Sequence, residues 1–386
     1  MTALREPAVS EALAATDPLR LEVRAFVDEE RAAGRFAPIA DARLAGWDED
    51  FSRRLGERGW LGMTLPAEYG GHGRSALERF AVTEELLAAA APVAAHWIAD
   101  RQIGPSLLRF GTEEQRRMYL PGIARGEVYF GIGMSEPDSG SDLASVRTKG
   151  VRTDGGWLVT GTKVWTSGAH HAHAFFAPVR TAPLDTSHRH AGLSQLIVPL
   201  DSTGVTIRPI HLLTGEHHFN EVVPDEVFVP DSMVLGEVGR GWHRVTSELA
   251  FERSGPERFL STYPLIAVLV DALAQRADRA GRRELRAPAR PPRDAARHVA
   301  RCRRLALVGC RPRCPGRPGQ GHRGPVSRAR SWPQADSLLD VEPDLDSDDP
   351  TRRLLAQAVL HTPGFTIRGG TNEILRGVVA RGMGVR

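Results

Sequence analysis

The stretch GIGMSEPDSGSDLASVRT, residues 131–148, decides how the rest of the chain is read. It leaves a short β-branched and aromatic run and becomes a loop of Ser, Gly, Pro and Asp. In such a loop the backbone N–H groups and the hydroxyls of Ser135, Ser139 and Ser141, with Gly140 among them, are free to face an anionic or polar ligand. A Gly/Ser loop after a strand is by itself only a turn. Its meaning depends on what flanks it.

Upstream, residues 17–126 have helical spacing. DPLRLEVRAFVDEERAAG places Leu21, Val23, Phe26 and Val27 on one face, with Asp17 as a cap and Gly34 as a stop. SALERFAVTEELLAAAAPVAAHWI reads as one longer helix, and TEEQRRMYLPGIARG begins at a Thr112 cap with acidic residues in its first turn. From Glu127 the period shortens. EVYFGIGMS, GWLVTGTKVWTSG, AFFAPVR, SQLIVPL, GVTIRPI and NEVVPDEVFVP are strand-like runs separated by Gly, Pro, Asp and Asn, the pattern of a compact barrel or sandwich. After Gly236 helical spacing returns. The expected fold is therefore α+β, with an N-terminal helical domain (1–126), a middle β-barrel or sandwich domain (127–236) and a C-terminal helical domain (237–386).

With 386 residues, 41% of them hydrophobic and 25% charged, the chain has ample material for a large core. No apolar run approaches the roughly 20 residues of a membrane helix, and the N-terminus lacks the basic-then-apolar order of a secretory signal. A cytoplasmic protein with no membrane partner is expected.

The net charge of +3 hides a segment unlike its surroundings. Residues 286–330 hold 13 Arg against one acidic residue, Asp294, together with all three cysteines and seven of the 27 prolines, and no Phe, Trp or Tyr. A nucleic-acid arm would use aromatic stacking residues, which are missing here. A zinc site would normally show tight Cys pairs, which Cys302, Cys310 and Cys314 do not form. The third reading is a translated wrong frame, in keeping with a chain that uses two lysines against 48 arginines. A frameshifted segment at about 286–335 is the expectation, and nucleic acid is not expected as a partner.

Two further motifs matter. TKVWTSGAHHA sets Trp165 beside the hydroxyls of Thr166 and Ser167 at a strand end, although a lone Trp is more often core. FTIRGGTNEILRG carries two glycines that permit close backbone approach, then Thr371 as a helix cap. His170, His171, His173 and the pair His217–His218 form no defensible metal-ligand set.

These three stretches, in this order, resemble the acyl-CoA dehydrogenase family of flavoproteins. LPAEYGGHG (65–73), FGTEEQRRMYLPGIARGE (110–127), FNEVVPDEVFVP (219–230) and GEVGRGW (236–242) add to the resemblance, which covers about residues 19–285 and 336–386. It implies FAD bound between the strand domain and the C-terminal helices, an acyl-CoA substrate dehydrogenated at its α,β bond, an electron-transfer flavoprotein as acceptor, and a homodimer, homotetramer or hetero-oligomer. By the same resemblance, Met134 and Ser135 meet the isoalloxazine edge, Gly140 and Ser141 lie by the pyrophosphate, Trp165 and Ser167 flank the ring near N5, and Gly370, Thr371 and Glu373 touch the nucleotide part. Many members take their catalytic base from the residue before the C-terminal Gly-Thr, which here is Gly369 and cannot serve. Others take it from a Glu-Arg pair in the first helix after the strand domain. That implies Glu252 as base with Arg253 near the substrate, Glu257 as fallback, or a base supplied by a partner subunit.

Overall fold

The computed structural model describes residues 14–253, 255–268, 341–382 and 384; the Arg/Pro-rich segment at 286–335 lies outside them. The described helices are α1 (Asp17–Ala32), α2 (Ala42–Ala45), α3 (Glu49–Glu57), α4 (Ala76–Ala88), α5 (Ala94–Ile98), α6 (Gly104–Phe110), α7 (Glu113–Ala124), α8 (Gly241–Arg253), α9 (Glu257–Leu260), α10 (Pro350–His361) and α11 (Asn372–Gly382). Nine strands lie between α7 and α8: β1 (Phe130–Ile132), β2 (Lys149–Thr153), β3 (Gly156–Thr160), β4 (Lys163–Ser167), β5 (Ala174–Arg180), β6 (Leu193–Pro199), β7 (Val205–His211), β8 (His217–Pro224) and β9 (Val227–Pro230). Two compact units result, one of residues 47–75 and 93–253, the other of 14–46, 76–92 and the described residues from 255 onward. None of the described helices is long and apolar enough to cross a membrane.

In the first unit the strands form two sheets. One runs β1-β5-β2-β3-β9 with β6 also on β5, and the other is antiparallel, β4-β8-β7. Strand β5, AFFAPVR, is buried along its whole length, as a strand covered on both faces must be. Its alternation sorts two cores: Phe175, Ala177 and Val179 join Val159, Val198 and Val222 between the sheets, while Ala174 and Phe176 meet Leu107, Leu120 and Ile123 from the helices. Thr112 caps α7 in a full capping box with Gln115, as its sequence predicts.

The second unit is helical. Helices α1 and α4 meet through Arg20, which is buried and pairs with Glu84 at 2.6 Å and Glu85 at 2.7 Å. A small core of Ala40, Leu265, Leu354, Leu355 and Ala358 surrounds α10.

Four local expectations need correction. Leu21 is 63% exposed and Arg20 takes the inward place beside Val23, because the facing Glu84 and Glu85 reward a cation there. The cap of α1 is Thr16, with Asp17 in the first turn. The long helix expected through residue 98 stops at Ala88, where Ala90 turns to φ 53° ahead of Pro92 and α5 begins anew. Strand β2 has no apolar alternation to reveal it, yet its five residues pair antiparallel with β3 around the Asp154–Gly155 turn.

Candidate functional site

The decisive loop leaves β1 under steric constraint. Gly133 donates its N–H to Phe176 O at 2.9 Å, and a Cβ at Gly133 would meet the Phe175 ring at 2.6 Å. Met134 then packs with Leu143, Val146, Leu193 and Val245. Ser135 O accepts the N–H of Val164 at 2.9 Å, which ties the loop to β4. Glu136 and Ser139 exchange backbone bonds of 2.8 and 3.0 Å, and Ser139 Oγ donates to Asp142 O at 2.9 Å, so the turn is held from within. Gly140 and Ser141 stand exposed beyond it, and nothing lies within 4 Å of where a Gly140 Cβ would be.

Beneath this loop lies a buried ion pair. Lys163, with no exposed surface, donates to Glu136 Oε1 at 2.8 Å and to Pro178 O at 2.8 Å. Glu136 also accepts the N–H groups of Arg147 at 2.6 Å and Thr148 at 2.9 Å. Burial alone would raise the Glu136 carboxyl, but the Lys163 charge and these bonds hold it below the usual range. Burial draws Lys163 down to about 8 against the pull of Glu136. At neutral pH both partners are charged, and each half of the pair sits on one of the two segments that carry the expected flavin contacts.

Strand β4 presents the second segment. Trp165 is 55% exposed and sits at φ 64°, the left-handed region that a bulky side chain avoids, with its ring edge-on to Phe219 at 5.7 Å. Thr166 is fully buried and its Oγ1 has no hydrogen-bond partner, while Ser167 is half-buried opposite Phe219. The β4–β8 register shifts between Lys163 and Thr166. Just past the shift Thr166 pairs with Asn220, whose side chain also donates to Thr166 O at 3.1 Å.

In the helical unit, the Gly-Gly turn is clamped from its N-terminal side. Arg368 pairs with Asp41 at 2.6 Å, donates to Ser261 Oγ at 2.8 Å and to Glu257 O at 3.0 Å, and lies over the Phe365 ring. Asp41 is 1% exposed. Burial opposes its ionisation, yet Arg368, Arg43 and His361 together hold its carboxyl well below the usual carboxylate range. Gly369 (φ 62°) and Gly370 (φ 101°) follow in conformations that L side chains rarely adopt. Thr371 caps α11 by accepting the N–H of Ile374 at 3.3 Å. Glu373 is exposed, and its own backbone N–H and the Thr371 hydroxyl lower its carboxyl.

Met134 and Ser135 are thus joined to the strand of Trp165 and Ser167, with Gly140 and Ser141 on the same loop. Gly370, Thr371 and Glu373 belong to the helical unit. Glu252 and Arg253 occupy the last turn of α8, and their side chains lie outside the described residues. Glu257 is 4% exposed on α9, where a Cβ on Gly255 would collide with its carboxylate. Sequence reasoning missed Glu136, Lys163, Asn220, Asp41 and Arg368. Lys163 carried a usable signal, being one of two lysines in an arginine-using chain. Among the described residues no group of three or more His, Cys, Asp or Glu could hold a metal ion.

The residues present suit a flavin. An exposed indole held in a strained conformation and the open space at Gly140 beside Ser141 lie on two segments joined by the bond from Val164 to Ser135.

Comparison with known proteins agrees. The acyl-CoA dehydrogenase N-terminal domain family matches residues 15–127 and the acyl-CoA dehydrogenase middle domain family matches 131–227. The acyl-CoA dehydrogenase FadE34 of Mycobacterium tuberculosis is 37% identical over 371 residues, covering 92% of this chain and 49% of its own. A variant of the Tcur3481–Tcur3483 steroid ACAD is 30% identical over 97% of this chain and 99% of its own, with TM-score 0.74. The ChsE4–ChsE5 complex from M. tuberculosis is 27% identical with TM-score 0.75, and the whole of each chain is covered. The chain spans about half the length of the first curated relatives it matches.

Proposed function

Because the chain belongs to the acyl-CoA dehydrogenase family, we propose that it is an FAD-dependent dehydrogenase that introduces an α,β double bond into an acyl-CoA thioester. The observation that carries this reading is the wall built from Trp165 to Ser167 and fastened to the Met134–Ser135 loop. On this reading Met134 and Ser135 would meet the isoalloxazine edge, Gly140 and Ser141 would lie by the pyrophosphate, Trp165 and Ser167 would flank the ring, and Gly370, Thr371 and Glu373 would touch the nucleotide part. Bound FAD supplies the hydride acceptor for the substrate β-carbon.

The chain supplies the base. The thioester carbonyl acidifies the α-proton, so one carboxylate in a dry pocket suffices to remove it. Gly369 has no such group, and Glu252 takes the role, with Arg253 beside the substrate. A carboxylate shielded by flavin and acyl chain has its pKa raised toward neutrality, which suits it to hold the proton it takes. Electrons then leave to an electron-transfer flavoprotein, and the protein works in the cytoplasm as a homo- or hetero-oligomer.

A second reading is favoured by one feature, Gly369 combined with the likeness to a two-component complex. In it this chain binds FAD but a partner subunit carries the base.

The test is anaerobic flavin bleaching by a panel of acyl-CoAs. The chain alone should bleach, Glu252→Gln should keep FAD and lose bleaching by about 10³-fold or more, and Glu257→Gln should retain it. Full bleaching by Glu252→Gln would move the base to Glu257. Bleaching only after a partner chain is added would establish the second reading.

A further inference from the structure

The histidines between β4 and β8 form no metal site, but they meet at one side chain of consequence. Asn220 is fully buried and its amide has four partners. Oδ1 bonds His217 Nε2 at 2.8 Å, while Nδ2 reaches Thr166 O at 3.1 Å, His170 Nδ1 at 3.0 Å and, more weakly, His218 O at 3.4 Å. We propose that Asn220 is a positioning residue for the Trp165–Ser167 wall, and that the imidazole stack around it makes this positioning depend on protons. The inference rests on the reading that this wall borders a flavin.

The argument is one of donors and acceptors. Thr166 faces Asn220 across the ladder just past the register shift of β4, so the Asn220 amide adds a side-chain bond to the strand between a strained Trp165 and Ser167. With Nδ2 donating to His170 Nδ1, that nitrogen must be bare, and His217 must carry its proton on Nε2. A proton on His170 would set N–H against NH₂. The amide could satisfy it only by turning over, which withdraws the side-chain donor from Thr166 O and aims NH₂ at the His217 N–H.

Among the described residues no carboxylate hydrogen-bonds or ion-pairs with His170 to relieve this. His170 stacks on His217 at 3.8 Å and lies 4.0 Å from His171, which itself stacks on Trp47 at 4.8 Å. His211 from β7 stands 5.6 Å from His217, and the His218 ring is buried beside Phe219. Glu49 from α3 is the carboxylate whose charge reaches His171, and Arg53 shares it at 3.9 Å. Tyr129 and His173 pair 5.6 Å apart next to Trp47. Burial first, then His171 and His217, bring His170 down to about 4.

The experiment titrates FAD onto the full-length chain stripped of flavin, by quenching of flavin fluorescence at pH 4, 5, 6 and 8, with thermal melting alongside. Affinity of the unmodified chain should hold from pH 8 to 5 and fall as the pH drops toward 4, where His170 of the free chain takes up its proton, by at most about tenfold per pH unit. His170→Phe keeps the stack and cannot titrate, so its profile should be flat at the affinity the unmodified chain shows at pH 8. Asn220→Leu should bind more weakly at every pH and also lose the slope. A flat profile in the unmodified chain would overturn the inference, as would Asn220→Leu that melts lower but keeps the original slope, the mark of a merely structural residue. Should Asn220→Leu not fold, His170→Phe decides alone. A chain that binds no FAD at any pH would remove the functional reading itself, a result distinct from a flat profile.

Discussion

The sheet unit and the helical unit hold their candidate flavin residues by different means. In the sheet unit, Met134–Ser135 and Trp165–Ser167 belong to segments already tied by backbone bonds, and the Glu136–Lys163 pair reinforces a ladder that would exist without it. In the helical unit no ladder reaches the Gly369–Gly370 turn. Side chains do the fastening, with Arg368 bridging Asp41, Ser261 and the Glu257 carbonyl. A glycine turn has the most conformational freedom to lose, so its position depends on the ion pair beside it.

The comparison is broken most directly at Asp41. Asp41→Ala leaves the Arg368 guanidinium, 15% exposed, without its carboxylate, and should cost about 3–5 kcal/mol in chemical denaturation. If the loss is under about 1 kcal/mol, the clamp is not what orders the helical unit.

Acid separates the two units next. His96 in the sheet unit is 5% exposed beside Ser52, and burial lowers it to about 4. Its folded pKa lies below its unfolded one, so the unfolded chain binds more protons between them. Stability should hold above pH 6.5 and fall by up to about 3 kcal/mol as the pH drops to 4, and His96→Asn should flatten that slope. Asp41 is depressed instead, so its contribution stays until the pH falls through 3.8 and is lost below. Hydrogen exchange followed during acidification should therefore loosen the sheet unit first.

Lys163→Met should cost less than Asp41→Ala, about 2 kcal/mol, because Glu136 keeps two backbone donors. A cost equal to that at Asp41 would erase the contrast drawn between ladder and clamp. Trp165→Gly should change the melt in the other direction, gaining about 1 kcal/mol by relieving the left-handed backbone while weakening FAD retention. Thr371→Ala should have the smallest effect, about 0.5–1 kcal/mol, for a cap bond of 3.3 Å.

Much of this was legible locally. Thr112 announces its helix because a hydroxyl followed three residues later by Gln satisfies two end groups within one turn. AFFAPVR, apolar up to Arg180, announces a strand covered on both faces. The loop at 131–148 could be read from neighbouring residues, the missing carboxylate at Gly369 only from the family resemblance, and Trp165, which a local reading puts in the core, is 55% exposed. Strand β2 could not, since KGVRT owes its strand state to partners supplied by β3 and β5. Arg20 was hidden for the same reason: an inward arginine makes sense only once Glu84 and Glu85 face it from another helix.

By itself, then, the sequence determined the order of helices and strands, the polar loop and its family likeness, because hydrophobic period, caps and glycines act over a few residues. Only the tertiary structure decided that Glu136 meets Lys163 across 27 residues, Thr166 meets Asn220 across 54 and Asp41 meets Arg368 across 327. Buried charges and amides are chosen by whatever partner the fold brings within about 3 Å, and no local pattern in the chain records that distance.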